Sequence, residues 1–200
     1  MDATAEVPGA DGPTNGDVGE EHEVDQPLEG NRSADEYARK ALPILVSHVL
    51  QQQDGVMVPI TYRRLAELLG RRNKHGEPWA RGLGFVLGRV TGLINSVRSQ
   101  LAEAPPFLTS VVVLSSGTNA GFPDKCVRDV WPGYESLSKQ EKAAKLAAKF
   151  QRIMAFSIRW NEVLRLIGFP PVAPPVGPEG RPIGGGWGGG ESDVSAPIQI

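Results

Sequence analysis

The sequence contains very few of the residues from which disulfides and metal sites are built. Cys126 is the only cysteine in 200 residues, so no disulfide can form within the chain, and cysteine-based zinc sites lack their ligands. The three histidines, His22, His48 and His75, lie too far apart along the chain to form a metal-ligand pair. We therefore expect no metal, no cofactor and a reducing compartment.

Long apolar segments are missing as well. The N-terminus has no basic start followed by an apolar run, and no segment reaches the ~18 apolar residues of a membrane span. The sequence thus predicts neither a signal peptide nor a membrane partner, and we expect a cytoplasmic protein.

Motifs of the common catalytic classes are also absent. There is no G-x-x-x-x-G-K-S/T phosphate loop and no G-x-S-x-G nucleophile elbow, and no recognisable base accompanies Cys126. Pro123 and Asp124 are similar to the start of a metal-dependent nuclease signature, but no Asp or Glu stands two residues before a Lys. We therefore expect a protein that is not an enzyme. The third hypothesis, after DNA binding and protein-protein interaction, is a nuclease or another enzyme whose active site matches no familiar motif.

Charge, by contrast, is plentiful and unevenly distributed. Residues 1–30 hold nine carboxylates and no Lys or Arg, whereas residues 31–170 hold twenty Lys and Arg against eleven Asp and Glu. The net charge of −2 thus hides an acidic arm and a basic body. This asymmetry favours an anionic partner for the body, and an arm that competes for the same surface. The alternative is a solubilising tail beside an ordinary surface.

The ends of the chain differ in composition from its middle. Residues 1–32 have too few large apolar side chains to offset the entropy of ordering, and residues 169–200 are rich in Pro and Gly. Both segments are predicted to be disordered. The predicted domain spans residues 33–168, which is long enough for one hydrophobic core.

Helical spacing of apolar residues predicts five helices in this domain. They cover residues 33–53, 62–69, 79–101, 138–156 and 158–167. Capping boxes at Ser33 and Ser138 open the first and the fourth, and Pro43 is expected to kink the first or to shift its start.

Two strands are predicted between the helices. An edge strand is expected over residues 56–60, and a second strand over residues 107–114 precedes a loop of small polar residues, 115–121, that resembles a wing. The predicted fold class is mostly α with a small β-wing: a winged helix-turn-helix-like core plus C-terminal helices.

The third predicted helix has an unusual exposed face. Gly84, Gly88 and Gly92 recur every four residues, although each costs ~1 kcal/mol relative to alanine, so we expect something to come close to this face. Arg81, Phe85 and Arg89 project beside the glycines. If nucleic acid is what comes close, the arginines contact its phosphates or base edges. The alternative is that another helix packs on the glycines and the arginines are solvated.

A second basic feature lies on the fourth predicted helix. Lys142, Lys145, Lys149 and Arg152 are spaced three, four and three residues apart, and such a stripe is able to follow a phosphate backbone. The alternative is that it is the solvated side of an amphipathic helix.

Two short motifs resemble a known family. Residues 60–66, I-T-Y-R-R-L-A, and residues 80–84, A-R-G-L-G, are similar to the T-Y-G-x-L-A and A-R-A-V-G motifs of alkylguanine-DNA alkyltransferases and alkyltransferase-like proteins, in their DNA-binding half. The resemblance spans residues 60–121 and implies a winged-helix fold, with Tyr62 near a DNA phosphate and Arg81 reaching into the duplex.

The resemblance does not extend to the reaction of that family. Where the family has P-C-H-R before its paired valines, this chain has L-T-S-V at residues 108–111, so the nucleophilic cysteine is absent. The loop is also longer here, and Arg63 replaces the small residue after the tyrosine. The chain also resembles poorly characterised bacterial proteins, some encoded near restriction or defence genes, that pair an I-T-Y-x-x-L-A helix with a wing-like segment.

The sequence therefore predicts a non-enzymatic DNA-binding protein of winged-helix type with a basic, glycine-notched recognition helix. The alternative is a protein-protein interaction subunit, for example of a bacterial defence or restriction system, that docks through this helix onto a partner protein or a second copy of the chain. The predicted DNA-binding residues are Tyr62, Arg63, Arg64, Arg81, Phe85, Arg89, Lys142, Lys145 and Lys149.

Overall fold

A computed structural model describes residues 33–52, 55–124 and 131–173, and over these ranges the chain is mostly helical, as predicted. The elements in chain order are α1 (Ala34–Leu50), β1 (Ile60–Thr61), α2 (Tyr62–Leu69), α3 (Leu83–Ser96), β2 (Val112–Val113), α4 (Lys139–Phe156) and α5 (Trp160–Ile167). The predicted disorder of residues 1–32 and 174–200, and the position of Cys126, lie outside the described ranges.

Both predicted capping boxes are present. The Ser33 amide donates to Glu36 Oε2 at 2.8 Å, and the Glu36 amide donates to Ser33 Oγ at 3.3 Å. Ser138 and Glu141 form the same pair of bonds at 2.8 and 3.2 Å. These bonds satisfy amides that have no partner within the first helical turn, so α1 and α4 begin where the sequence predicts.

The proline within α1 does not shift the start of the helix. Pro43 lies mid-helix, and α1 continues past it to Leu50, three residues short of the predicted end. The side chain of Gln52 occupies the end of the helix. Its amide donates to His48 O at 2.7 Å, and its oxygen accepts from the Val58 amide at 2.9 Å. This pair of bonds ties the end of α1 to the segment before β1.

The main hydrophobic core is built around α1. This helix contacts each of the other four helices. Leu42 and Leu45 are fully buried on α1, as are Leu65 on α2 and Leu83 on α3. Because burying one such side chain contributes about 1.5–3 kcal/mol, the apolar face of α1 fixes the arrangement of the helices around it.

Trp160 anchors α5 in the same core. Its fully buried indole Nε1 donates to Ile153 O at 3.1 Å, and its ring packs edge-on against Phe156 with 4.8 Å between the ring centroids. After α5 the chain stays packed to Val172, beyond the predicted boundary at residue 168, because Asn161 exchanges two hydrogen bonds with the Val172 backbone, at 2.8 and 2.9 Å.

A smaller apolar cluster lies against α4. It consists of Phe122, Trp131, Tyr134 and Leu146. The Tyr134 hydroxyl donates to Pro123 O at 3.0 Å, and the Tyr134 and Trp131 ring centroids are 5.0 Å apart. The cluster places two aromatic rings beside lysines of α4.

The second predicted strand, residues 107–114, is wrong except at Val112–Val113. Residues Leu108–Val111 form a 3-10 turn, and only Val112–Val113 is a strand. It pairs in parallel with β1, with Ile60 opposite Val112 and Thr61 opposite Val113. Residues 108–113 are all buried, whereas a strand with one solvated face would alternate between buried and exposed side chains.

The winged-helix prediction is therefore not confirmed. The loop after β2 is closed by backbone hydrogen bonds of 2.9 Å from Leu114 to Phe122 and from Gly121 to Leu114. Within the described residues its flanks do not form an antiparallel pair of strands, and the sheet contains the parallel pair β1-β2.

The third helix is shorter than predicted. It begins at Leu83, after Gly82 adopts a φ of 78°, and the chain continues as a 3-10 turn over Arg98–Gln100. Residues 79–82 are held outside the helix because the Trp79 amide donates to Arg71 O at 3.0 Å and Arg71 Nη2 donates to Arg81 O at 3.1 Å. The predicted α2, α4 and α5 agree with the structure within two residues.

Candidate nucleic-acid interface

A buried arginine fixes the entry to α3. Arg71 is 5% exposed, and its guanidinium lies 4.4 Å from the Trp79 ring centroid and 5.1 Å from that of Tyr37. Burial lowers the pKa of this group below its usual value, yet arginine stays charged in proteins. The two rings and the Arg81 carbonyl replace part of the solvent around the cation, while Arg71 Nε and Nη1 are buried without a hydrogen-bond partner among the described residues. The bond from Nη2 to Arg81 O fixes the backbone path that leads into the helix.

The outer face of α3 is open, with Arg81 exposed at its start. Phe85 is 80% exposed, which is unusual for a large apolar side chain, and Arg89 is also exposed. At Gly88 and Gly92 an added Cβ would meet no atom within 4 Å. Nothing in the described chain therefore comes close to these two glycines. Arg81 precedes the helix, which begins at Leu83, so the predicted helical spacing that aligned Arg81 with Phe85 and Arg89 is wrong for Arg81. We name the surface formed by Phe85, Gly88, Arg89 and Gly92, together with the exposed Arg81 that precedes the helix, the α3 face.

One carboxylate lies beside the α3 face. Arg89 Nε is 3.3 Å from Asp35 Oδ1, and both side chains are mostly exposed. An exposed pair of this kind contributes little free energy, and a phosphate is able to replace the carboxylate. Residues 81–98 themselves contain three arginines and no Asp or Glu, so the helix supplies only positive charge.

The predicted site residues of α2 lie elsewhere. The Arg64 amide donates to the capping oxygen of Thr61 at 3.1 Å, so Arg63 and Arg64 occupy the exposed start of the helix. Arg64 Nη1 donates to Glu67 Oε2 at 2.6 Å, and this hydrogen bond lowers the pKa of the Glu67 carboxyl. Tyr62 is 7% exposed, so most of its side chain is inside the core.

The two arginine groups do not converge. Arg64 lines a groove with His48 near the end of α1, whereas Arg89 contacts Asp35 near its start. At 1.5 Å per residue, these two points of α1 are about 20 Å apart along its axis. The start of α2 and the α3 face are therefore two separate basic patches.

The lysine stripe of α4 is not one surface either. Lys142 is 9% exposed, and its ammonium lies 4.7 Å from the Tyr134 ring centroid. Lys149 is half-buried, and its ammonium lies 4.9 Å from the Trp131 centroid. Lys145 and Arg152 are exposed. The aromatic cluster therefore withdraws Lys142 from the surface and leaves the other three accessible.

Three basic side chains meet at a cavity that the sequence did not reveal. This basic cavity has a volume of about 300 Å³ and lies between the second half of α3, the Pro105-Pro106 turn and α4. Arg98, Lys149 and Arg152 line it together with Thr91 and Asn95. The signal in the sequence is the spacing of Thr91, Asn95 and Arg98, four and three residues apart, which places three polar groups on one side of a helix.

An apolar groove is lined by residues of α1 and α2. Pro43, Ile44 and Leu68 line it beside His48 and Arg64, and its volume is about 650 Å³. The His48 ring nitrogen Nε2 is 2.7 Å from Val58 O.

No three His, Cys, Asp or Glu side chains come together in a way that suits a metal ion, as far as residues 33–52, 55–124 and 131–173 are concerned. In the same ranges, none of the helices combines the length and the apolar character that a membrane crossing requires.

Comparisons with protein-family models, with curated proteins and with solved structures return no match to this chain. The likeness to alkylguanine-DNA alkyltransferases therefore rests on residues 60–66 and 80–84 alone.

Proposed function

We propose that this chain is a non-enzymatic DNA-binding protein of helix-turn-helix type, and that the α3 face is the surface that meets the duplex. The observation that carries the proposal is the open row of Gly88 and Gly92 beside Arg81, Phe85 and Arg89. Helical glycines cost free energy, and no part of the described chain uses the space that they leave.

The chemistry of the α3 face suits a phosphate backbone. Without side chains at Gly88 and Gly92, the helix backbone is able to approach a groove wall closely. Arginine binds phosphate through a planar fork of N–H donors, and two arginines flank the glycines. The exposed ring of Phe85 between them offers an apolar contact for a base or a sugar.

Arg63 and Arg64 supply a second contact in this proposal. In helix-turn-helix proteins the second helix enters the major groove while the first crosses the backbone. The start of α2, which lies near the other end of α1 from the Arg89–Asp35 contact, supplies that backbone contact in the proposal. Tyr62 joins it only through the alkyltransferase resemblance, because its side chain is largely buried. Lys145 adds charge on α4, and Lys142 takes no part because Tyr134 covers it.

A fluorescence anisotropy titration with a short labelled duplex at about 0.1 M salt tests the proposal. Wild-type protein should bind, and affinity should fall steeply with added salt. The double variant Arg81→Ala/Arg89→Ala should lose roughly tenfold or more and lower the salt slope by about two. The matched control is Lys139→Ala/Arg165→Ala, which removes the same charge from exposed sites on α4 and α5.

Two outcomes contradict the proposal. One is the absence of binding even at low salt. The other is an equal loss in the control, which would mean that the duplex responds to net charge and not to the α3 face. Incubation with DNA and Mg²⁺ should leave the DNA intact, and cleavage would overturn the non-enzymatic assignment.

A second candidate function is protein-protein interaction through the same face. It is favoured by the 80% exposure of Phe85, since an aromatic ring in the centre of a patch is typical of interface anchors. Light scattering separates the two functions. In the interaction function, wild type is a dimer that Phe85→Ala converts to a monomer, and Arg81→Ala/Arg89→Ala leaves it dimeric. In the DNA-binding function, wild type is monomeric without DNA.

A further inference from the structure

The basic cavity concentrates positive charge without a counter-ion. Of its ten lining residues, three are Lys or Arg and none is Asp or Glu. Within the described residues, Arg98, Lys149 and Arg152 form no ion pair with a carboxylate. Cations that share one site repel each other, and an anion is the species that removes the repulsion.

The environment of the basic cavity disfavours the charged form of Lys149. Burial, and after it the positive charges of Arg152 and Lys145, lower the pKa of the Lys149 ammonium below its usual value. The ammonium is also held 4.9 Å from the Trp131 ring centroid, which restricts its position. The cation is thus kept in place at some free-energy cost, although a freely solvated position would avoid that cost.

The remaining walls suit a small oxyanion. Pro105 and Pro106 form a stiff wall, because the pyrrolidine ring fixes the backbone φ. The Asn95 side chain lines the cavity and makes no hydrogen bond within the described residues, so its amide is free to donate. Ile94 and Leu108 provide an apolar floor. A cavity of about 300 Å³ is at the lower limit of small-ligand sites.

We propose that the basic cavity is a binding site for a phosphate group, held by the Arg98 and Arg152 guanidinium groups, the Lys149 ammonium and the Asn95 amide. The phosphate belongs either to a free monoester or inorganic phosphate, or to the backbone of a nucleic acid. None of the residues of the α3 face lines the cavity, so binding of free phosphate is tested independently of the proposed function, and only the nucleic-acid source rests on it.

Calorimetric titration of the full chain with inorganic phosphate, at constant ionic strength set with chloride, tests the site. Saturable binding to one site per chain is expected. Arg98→Gln and Arg152→Gln replace exposed side chains and should each weaken binding about tenfold, because each removes a charge-assisted hydrogen bond. The control is Lys139→Gln, which removes one charge from the exposed start of the same helix, outside the cavity, and should change the affinity less than twofold.

Duplex and single-stranded oligonucleotides distinguish the two sources of the phosphate. If Arg98→Gln loses phosphate binding but keeps oligonucleotide affinity, the ligand is a free phosphate or monoester. If both affinities fall together, and phosphate competes with the oligonucleotide, the ligand is a backbone phosphodiester. Absence of saturable phosphate binding overturns the proposal, and so does an equal loss in Lys139→Gln and Arg98→Gln.

Discussion

Arg71 shows how one side chain organises the entry to the α3 face. Removing a guanidinium from water is costly, and here two aromatic rings and one carbonyl offset part of that cost, since Arg71 Nε and Nη1 are buried without a hydrogen-bond partner among the described residues. These contacts depend on the flat shape of the guanidinium, which stacks on Trp79 while Nη2 reaches Arg81 O. A lysine carries the same charge on a compact, strongly hydrated group and is unable to do both.

Arg71→Lys should therefore destabilise the fold by about 1–3 kcal/mol, even though it conserves charge. Urea denaturation followed by circular dichroism measures the change. Arg63→Lys is the matched control on exposed α2 and should stay within about 0.5 kcal/mol of wild type. Equal midpoints for the two variants would show that the stacked cation contributes nothing to stability.

The lowered pKa of Lys149 gives the basic cavity a pH dependence. In the window between this lowered pKa and the ordinary lysine value of about 10.4, the folded chain binds fewer protons than the unfolded chain. This group therefore adds stability as the pH rises through that window. A bound anion favours the charged form, so anion binding must be accompanied by proton uptake and must weaken in the same window.

Sulfate affinity should thus fall as the pH rises from neutrality toward the ordinary lysine pKa, since sulfate keeps its charge over this range while the Lys149 ammonium loses its proton. Titration of the wild type and of Lys149→Gln at constant ionic strength measures the effect. The wild-type affinity should decline with pH, while that of Lys149→Gln should be weak and nearly flat. Parallel pH profiles for the two proteins would remove Lys149 from the site.

At the scale of elements, substitutions of the glycines of α3 are expected to change the stability of the fold and the affinity for DNA in opposite directions. Gly88 and Gly92 have ordinary helical backbones, and a Cβ at either position has open space around it. Alanine at each position should therefore stabilise the chain by about 0.5–1 kcal/mol. If DNA lies against this face, the added methyl groups hold it away from the helix, so the same variants should bind duplex more weakly.

Thermal unfolding and anisotropy titration of Gly88→Ala/Gly92→Ala measure both quantities in one protein. Ala147→Gly, on the exposed side of α4, is the reciprocal control: it should lose stability and keep its DNA affinity. A double-alanine variant that is more stable and binds DNA as tightly as wild type would show that the glycine row is not a contact surface.

Elements governed by neighbours in sequence are the ones that the sequence predicted well. Both capping boxes join residues three positions apart, and Gly70 ends α2 with a φ of 71°, so their geometry follows from local rules. The end of α1 depends on a bond from Gln52 to Val58 across a turn, and the start of α3 depends on Arg71. Local patterns do not contain these longer-range contacts.

The prediction of a strand over residues 107–114 was wrong for a related reason. Residues 107–114 are apolar and rich in β-branched side chains, which favours extended structure. Burial of residues 108–113 between α1, α3 and α4 turned the first half into a 3-10 turn instead. The basic cavity could not be predicted from local patterns either, because Arg98 and Arg152 are 54 positions apart and meet only through tertiary packing.

For the whole molecule, the important quantity is the division of charge between the acidic arm, residues 1–30, and the basic body, residues 31–170. Nine carboxylates in residues 1–30 face an excess of nine positive charges in residues 31–170. Because the arm and the basic patches belong to one chain, we expect the carboxylates to have a high effective concentration for those patches. We therefore expect the arm to compete with DNA for the same cations.

Removal of residues 1–30 should therefore tighten duplex binding, by roughly tenfold at low salt, and the gain should shrink as salt screens the arm. Anisotropy titrations of the full chain and the truncated chain over a range of salt concentrations provide the measurement. The informative control keeps the length of the arm and replaces its nine carboxylates with Asn and Gln. Since competition depends on charge alone, this neutral arm should behave like the truncation. If the neutral arm behaves like the wild type while the truncation binds more tightly, the arm acts by bulk, and if all three proteins bind equally, the arm does not cover the DNA-binding surface.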